Sequence, residues 1–204
     1  TRAMPRARTA APSTGSRRVR CSRADIEPGR LESRRSWPGV SAAHTNELAR
    51  SVKVLHFVTG GFSGATQVAV DLCLAARGEP HMQTLLVLRR KRNTSAERVQ
   101  ALRDQGLQVQ LVSNWLHALT VWELRKIIRD WRPDVVFAHG FSDHIWGRRA
   151  AVAEGVPRIF HVEHNSRERY TPRRLRQALE LEPHTQASIG VSEGVRTALI
   201  ERGF

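Results

Sequence analysis

Three short clusters of glycine and polar residues follow apolar runs in this sequence, and their residue types suit the binding of phosphates and sugar hydroxyls. The first follows the run VKVLHFV at residues 52–58 and consists of Gly60, Gly61, Phe62, Ser63 and Gly64. Glycines let backbone N–H groups approach an anion, and the N-terminus of a following helix favours its negative charge. This glycine loop is therefore predicted to contact a phosphate or a sugar, unless it serves only as a tight strand-to-helix turn.

The glycine loop lacks the spacing Gly-x-Gly-x-x-Gly that marks dinucleotide-binding turns. After the second apolar run, where an acidic residue would hold a ribose, the sequence has the basic stretch of residues 89–92. These two features argue against NAD. They leave NADP as an alternative, because arginines at that position can bind the additional phosphate.

The second cluster is His139 with Gly140, directly after the apolar run at residues 134–138. An imidazole at the end of a strand can point into a crevice and form a hydrogen bond with a ligand. The alternative is a histidine that is bonded only to the local backbone. His144, which follows on a predicted helix, is expected to be a packing or surface residue.

The third cluster follows the run at residues 157–162 and consists of Glu163, His164 and Asn165, with Arg167 close behind. We expect an exposed acid, an imidazole and an amide in succession here, and such groups suit sugar hydroxyls. The alternative is a solvated charged loop in which Asn165 caps a helix.

Other reactive patterns do not occur in the sequence. There is no Gly-x-Ser-x-Gly elbow, no phosphate loop with Gly-Lys-Ser/Thr and no His-Glu-x-x-His motif. There is also no Asp-x-Asp pair for a divalent metal, and the histidines are spaced too loosely for a zinc site. We therefore predict that the protein uses no metal and no cofactor. The tryptophans of the helical stretches are expected to pack rather than to bind ligands: Trp115, Trp122, Trp131 and Trp146.

The elements that must hold these clusters alternate regularly from residue 52 onward. Each of six apolar runs typical of buried strands is followed by a helical pattern, and the runs lie near residues 52–58, 84–88, 107–112, 134–138, 157–164 and 187–192. This order predicts an α/β domain at residues 52–204 with a mostly parallel sheet of about six strands. Ligands of such sheets bind beyond the carboxyl ends of the strands, where all three clusters fall.

The first predicted helix, at residues 65–78, has apolar side chains at Val68, Leu72 and Ala75, with Val70 and Cys73 beside them, and this spacing predicts a buried helix face. The two cysteines, Cys21 and Cys73, match no disulfide or metal pattern, so Cys73 is predicted to be a core thiol. This cysteine usage indicates a reducing, cytoplasmic setting. No stretch of the sequence is apolar for long enough to predict a transmembrane helix.

The first 50 residues carry half of the formal net charge of +14, in eleven arginines set against four acidic residues. They mix Arg, Ser, Pro and Gly without hydrophobic periodicity, so residues 1–51 are predicted to form a disordered tail. Basic charge without a recognition element argues against nucleic acid as a partner. The alternative is that the tail binds nucleic acid or an anionic membrane, and it predicts binding that weakens steeply with salt.

A resemblance to a known family is carried by four segments in order: KVLHFVTGGFSGATQVAVDL, RPDVVFAHG, GVPRIFHVEHN and IGVSEGVRTALIERG. The matching region spans residues 52–204 and resembles the N-terminal half of the family 4 glycosyltransferases. The resemblance implies the GT-B fold, in which two Rossmann-like, three-layer domains face each other across a cleft. It also implies that the N-terminal domain binds the acceptor, whereas the C-terminal domain binds the nucleotide sugar and carries paired glutamates.

The resemblance further implies roles for the clustered residues. The glycine loop would approach the donor phosphates from across the cleft, and His139 would be the catalytic residue beside the transferred sugar. Ser192 would lie at the mouth of the cleft. The acceptor would be bound by the third cluster, which is Glu163, His164, Asn165 and Arg167.

The implied reaction moves a hexose from a nucleotide diphosphate sugar to an acceptor hydroxyl with retained configuration and without a metal. Because the paired-glutamate motif does not occur in the sequence, we predict a truncated chain that is inactive without a C-terminal half. The expected acceptor is a carbohydrate or a lipid-linked sugar, and basic residues at 89–92 and 173–176 are candidates for peripheral contact with an anionic membrane. The alternatives are a sugar-nucleotide epimerase, a non-catalytic glycan- or partner-binding module, and an NADP- or nucleotide-binding protein.

Overall fold

A computed structural model of the chain describes residues 51–140, 142–167 and 170–204. The predicted tail, apart from Ser51, lies outside the described residues. Within them the strands are β1 (Val52–Thr59), β2 (Met82–Arg89), β3 (Val109–Val112), β4 (Val135–His139), β5 (Arg158–Glu163) and β6 (Ala187–Gly190). The α-helices are α1 (Gly64–Ala75), α2 (Ala96–Asp104), α3 (His117–Trp131), α4 (Asp143–Ala153), α5 (Pro172–Leu179) and α6 (Glu193–Glu201).

The six strands form one parallel sheet in the order β3-β2-β1-β4-β5-β6. The predicted α/β domain with a parallel sheet is therefore confirmed, and its strand order is that of a Rossmann-like fold. Strands β2 and β3 lie on one side of β1 within the sheet, and the connection that leaves β3 crosses back to place β4 on the other side of β1. This reversal opens a crevice beyond the carboxyl ends of β1 and β4, where ligands of doubly wound sheets bind.

The core consists of two clusters of buried side chains, which lie on opposite faces of the sheet because successive strand residues point to opposite faces. One cluster joins Leu55 of β1 to Leu124 of α3 and Ile145 of α4. The other joins Val58 of β1 to Ala69 and neighbouring residues of α1 and α2. Both faces of the sheet are thus covered by helices, as the apolar runs predict.

Helix α1 buries only part of the predicted face, namely Val70 and Cys73. Val68 and Leu72 are 37% and 47% exposed, and the buried residues are Thr66, Ala69, Val70 and Cys73. The Thr66 hydroxyl donates a hydrogen bond to the Thr59 carbonyl at 2.8 Å, which turns the small side chains of α1 toward the sheet. The predicted core thiol is confirmed, and burial raises the pKa of Cys73 to about 11.

The packing role predicted for the tryptophans holds for two of the four. Trp146 is buried and Trp131 packs against the core, but Trp115 and Trp122 are 84% and 62% exposed. Helix α3 buries its face at Thr120, Leu124 and Ile128, so Trp122 points to solvent. Among the described residues, no helix combines the length and the apolar character needed to cross a membrane.

Candidate functional site

A cleft of about 610 Å³ lies beyond the carboxyl ends of β1, β4 and β5, at the crevice that the strand order creates. Each of the three predicted clusters contributes to its lining, through Ser63, Gly64, His139, Glu163, His164 and Asn165. A groove of similar size, about 590 Å³, runs along α3 and contains none of these residues. Because the first lies beyond the carboxyl ends of the central strands and gathers polar groups that follow β1, β4 and β5, we take this cleft as the candidate site.

The glycine loop is pressed against the end of β2. The Gly60 N–H donates to the Arg89 carbonyl at 2.7 Å, and the Thr94 hydroxyl donates to the Gly60 carbonyl at 2.9 Å. A Cβ atom at Gly60 would lie 2.8 Å from the Arg89 carbonyl oxygen, so a larger residue would displace the loop. The glycine at this position is therefore explained by packing against β2.

The predicted phosphate contacts divide into two groups. Ser63 and Gly64 line the cleft, whereas Gly60, Gly61 and Phe62 are not among its lining residues. The Phe62 ring packs against the core, with the Arg98 guanidinium 5.4 Å from its centre. Ser63 precedes α1, and the first turn of a helix presents backbone N–H groups that have no partner within the helix. The N-terminus of α1 therefore faces the cleft, and its binding of an anion stays a prediction.

A buried ion pair behind the cleft was not predicted. Arg89 is 1% exposed, and its guanidinium donates to Asp143 Oδ1 at 2.5 Å and lies 2.7 Å from His117 Nδ1. Arg89 is therefore not available to a membrane surface as part of the basic stretch at residues 89–92, because Asp143 draws its side chain inward.

Lys91 is the cation that this basic stretch brings to the cleft. Its Nζ lies 3.5 Å from Asp143 Oδ2, and its side chain is 30% exposed. Sequence reasoning missed Lys91 as an individual residue, although its position directly after β2, at the carboxyl edge of the sheet, was a usable signal. A partly exposed ammonium group beside the N-terminus of α1 suits an anionic ligand.

Glu163 is buried, and the expectation of an exposed acid at this position is wrong. Its Oε1 accepts hydrogen bonds from the backbone N–H groups of His164 and Asn165 at 2.8 and 3.3 Å, and the Tyr170 hydroxyl donates to Oε2 at 3.2 Å. Burial alone would raise the pKa of this carboxyl, but the neighbouring His161 ring and the two backbone N–H groups outweigh it and lower the pKa. Glu163 therefore anchors the loop that carries His164 and Asn165.

Of the remaining predicted residues, Asn165 lines the cleft, whereas Arg167 and Ser192 are not among its lining residues. Asn165 Oδ1 accepts a hydrogen bond from the Arg167 backbone N–H at 2.9 Å, which shapes a turn. Arg167 is exposed and does not line the cleft. Ser192 follows β6 and caps α6, since its hydroxyl oxygen accepts from the Val195 N–H at 3.4 Å. Its role at the mouth of the cleft stays a prediction.

His139 lies at the floor of the cleft, among its lining residues, and is fully buried. Its Nε2 is 3.0 Å from His56 Nδ1, and its Nδ1 is 3.2 Å from His164 Nε2. Burial lowers the pKa of His139 well below its usual value, and the adjacent imidazoles lower it further. The ring is therefore neutral at neutral pH. His144, on the opposite face, is also buried and bonds to the Tyr170 hydroxyl at 2.8 Å, which confirms a packing role.

The His, Cys, Asp and Glu side chains of the described residues also bear on metal binding. Across residues 51–140, 142–167 and 170–204, no group of three or more His, Cys, Asp or Glu side chains is arranged to hold a metal ion. The expectation of a metal-independent protein stays a prediction.

Solved structures with the same fold share little sequence with this chain. A UDP-N-acetylglucosamine 2-epimerase from Listeria monocytogenes aligns with a TM-score of 0.55 and 14% identity, over 75% of this chain and 43% of its own. The lipopolysaccharide outer core galactosyltransferase WaaB aligns with a TM-score of 0.54 and 13% identity, over 75% and 43%. Anabaena HepE, in complex with UDP and glucose, aligns with a TM-score of 0.54 and 20% identity, over 74% and 41%. This chain thus spans less than half the length of these proteins.

At such identities the structural likeness shows the fold alone, which is that of the GT-B glycosyltransferases and epimerases. A sequence search of curated proteins finds no match. The model of a protein family, described as Glycosyltransferase Family 4, matches residues 62–204. This match covers more than half of the chain and includes most of the cleft residues. The chain therefore belongs to glycosyltransferase family 4.

Proposed function

We propose that this domain is the acceptor-side half of a retaining, metal-independent glycosyltransferase that moves a hexose from a nucleotide diphosphate sugar to an acceptor hydroxyl. Turnover in this proposal requires a second, donor-binding domain on the other side of the cleft. The acceptor is a carbohydrate or a lipid-linked sugar. The observation that carries the proposal is the convergence of Ser63, Gly64, Lys91, His164 and Asn165 on one cleft at the reversal point of the sheet.

The chemistry of the cleft supports a phosphate on one side and hydroxyl groups on the other. The N-terminus of α1 and the Lys91 ammonium are two positive elements on the β1–β2 side, and they suit the diphosphate of a donor. His164 and Asn165 on the β5 side can donate to and accept from sugar hydroxyls. In the transferase reaction the positive elements stabilise the negative charge that develops on the leaving phosphate.

Replacement of Lys91 tests the anion-binding side of the cleft. We expect the domain to bind UDP and UDP-sugars weakly, and Lys91→Gln to weaken this binding about tenfold, which is about 1.4 kcal/mol. The loss follows because a charge-assisted contact to phosphate is replaced by a neutral one. Isothermal titration calorimetry or chemical-shift titration with UDP and UDP-glucose measures it.

Lys126→Gln is the matched control, because Lys126 lies on α3, outside the cleft. If Lys91→Gln bound UDP as tightly as Lys126→Gln does, the assignment of Lys91 to the phosphate would be contradicted.

Binding of NADP in preference to UDP would favour the nucleotide-binding alternative. For a two-domain form that turns over, release of free nucleotide and the anomeric configuration of the product distinguish a retaining transferase from an epimerase.

A second element of the proposal is peripheral contact with an anionic membrane on the cytoplasmic side. Its support is three exposed apolar side chains in the first turns of α3 and just before it, which we call the tryptophan patch: Trp115, Leu116 and Trp122 are 84%, 55% and 62% exposed. Tryptophan favours the interface between lipid and water, where its apolar ring is buried and its N–H stays hydrated. Lys126 follows Trp122 by one helical turn, and Arg173 lies across a shallow groove from Trp122. Cations beside exposed indoles suit an anionic lipid surface.

Vesicle binding tests this tryptophan patch. We expect the domain to sediment with vesicles that contain phosphatidylglycerol, and the double change Trp115→Ser and Trp122→Ser to reduce the partition coefficient at least tenfold. Leu72→Ser, at an exposed apolar residue of α1, is the control and should leave the partition unchanged. Binding that survives the loss of both tryptophans, or that does not depend on anionic lipid, would rule out this surface.

A further inference from the structure

Three histidines form a hydrogen-bonded series that runs from the interior of the sheet to the cleft, and we call it the histidine chain. His56 Nδ1 lies 3.0 Å from His139 Nε2, and His139 Nδ1 lies 3.2 Å from His164 Nε2. His56 and His139 are 4% and 0% exposed, whereas His164 lines the cleft. The chain therefore has one end in the core and one end at the candidate site.

The register of the sheet places these rings in sequence. His56 of β1 pairs with Phe137 of β4, and His139 of β4 pairs with Val162 of β5. In both steps the next histidine lies one strand over and two residues further along. Because side chains two residues apart point to the same face of a sheet, all three imidazoles share one face. The chain is thus a property of the β1-β4-β5 register.

Hydrogen-bond chemistry restricts the protons of this chain to two arrangements. Burial lowers the pKa of all three rings, to about 4 for His56 and well below its usual value for His139, so they are neutral at neutral pH. A neutral imidazole carries one N–H, and each of the two contacts needs one donor and one acceptor. If His56 donates to His139, then His139 donates to His164, and all three rings carry their proton on Nδ1. If the direction is reversed, all three carry it on Nε2.

We infer that His164 is the imidazole that binds a ligand hydroxyl in the cleft, and that His139 and His56 are positioning residues which set the tautomer of the His164 ring. His164 Nε2 is engaged by His139, so the ring nitrogen that His164 offers to a ligand is Nδ1. His139 has both ring nitrogens engaged by other imidazoles, and it therefore acts through His164 rather than by direct contact.

The donor-to-acceptor direction of the two hydrogen bonds decides whether His164 donates to a ligand or accepts from it. In the Nδ1–H arrangement His164 donates to a ligand oxygen, and in the Nε2–H arrangement its Nδ1 accepts from a ligand hydroxyl. A ligand that prefers one arrangement selects it at all three rings at once. The part of the inference that concerns a sugar ligand rests on the proposed function, whereas the coupling of the three tautomers does not.

Long-range nitrogen–proton NMR spectra of the histidine-labelled protein at neutral pH test the coupling. We expect His56, His139 and His164 to be neutral and to show the same tautomer. Different tautomers among the three rings, or a charged ring at His56 or His139, would overturn the chain. This spectrum needs no ligand and no variant, so it is decisive even if the proposed substrate is wrong.

His139→Leu removes the central ring and keeps an apolar side chain of similar size. We expect the His164 signal to change from one tautomer to a mixture, because its fixed partner is lost. Phe137→Leu is the control, since Phe137 stacks on His56 at 5.2 Å between ring centres but is not part of the hydrogen-bond series. A His164 tautomer that is the same with and without His139 would show that the series does not position this ring.

Addition of glucose and of UDP-glucose tests the ligand. The His164 resonances should shift, and a change of tautomer at His164 should be accompanied by the same change at His139 and His56. If neither glucose nor UDP-glucose shifts the His164 resonances, the ligand assignment is overturned. The ligand-free spectrum still decides the coupling of the tautomers separately.

Discussion

Acidification from pH 7 to pH 5 should lower the free energy of unfolding of this domain by several kcal/mol. Four buried histidines cause the loss, and each is at most 4% exposed: His56, His139, His144 and His161. Burial lowers the pKa of all four, to about 4 for His56. In the unfolded chain these rings titrate at about pH 6.5.

The sign of the effect follows from the proton balance. Between the folded and the unfolded pKa values the unfolded state binds more protons, so stability is complete above about pH 6.5 and falls as the pH drops below it. Each imidazole that stays neutral in the fold contributes a slope of about 1.4 kcal/mol per pH unit in that window. Arg148 lowers the pKa of His144 further, whereas Glu163 raises that of His161 and reduces its share.

Urea denaturation at several pH values measures this dependence, provided that the m value stays constant. His56→Leu should reduce the slope of the free energy of unfolding against pH by the contribution of one imidazole. His81→Gln, at an exposed histidine, should leave the slope unchanged. A stability that does not vary between pH 7 and pH 5 would show that the buried histidines are solvated or already charged in the folded domain.

Asp143→Ala should destabilise the domain by about 3–5 kcal/mol, because it leaves the Arg89 guanidinium buried without its carboxylate. Arg89 and Asp143 have side chains that are 2% and 4% exposed and lie 2.5 Å apart. A buried charge without a partner loses its hydration and gains no ion pair in return. Lys91, at 3.5 Å from the same carboxylate, would also lose its partner.

The double variant Arg89→Met with Asp143→Leu distinguishes the cost of leaving the Arg89 charge unpaired from the cost of losing the Asp143 side chain. We expect it to recover most of the lost stability, since apolar residues of similar size often replace a buried ion pair at little cost. Thermal or urea unfolding at pH 8, where the histidines contribute no slope, is the measurement. A double variant that is destabilised by the sum of its two single variants would mean that the two charges do not interact.

The alternation of apolar runs and helical patterns was sufficient to predict six parallel strands and the edge at which the polar clusters meet. It could not predict which way each side chain turns there. Glu163 follows β5 as expected, but two backbone N–H groups and Tyr170 draw its carboxylate inward. The face of α1 was also assigned only in part: Val70 and Cys73 are buried as expected, but Val68 and Leu72 are exposed, because the hydrogen bond from Thr66 to Thr59 turns the small side chains toward the sheet.

The histidine chain was beyond sequence reasoning for a different reason. His56 lies in an apolar run that reads as an ordinary buried strand, and His139 follows it by 83 residues. Their contact depends on the register between β1 and β4, which local patterns do not encode. The exposure of Trp122 was predictable in part, since it lies outside the spacing of Thr120, Leu124 and Ile128.

Among the described residues that line the cleft, the two carboxylates Asp143 and Glu163 are both held in place by positive or N–H groups, which limits their use as nucleophiles. Asp143 faces Arg89 and Lys91, and Glu163 faces backbone N–H groups, so neither side chain exceeds 4% exposure. A covalent glycosyl–enzyme intermediate would need an accessible carboxylate nucleophile close to the anomeric carbon. Neither acid is free to form that ester. If a transfer at this cleft passed through such an ester, Asp143 or Glu163 would first have to break the ion pair or the hydrogen bonds that bury it.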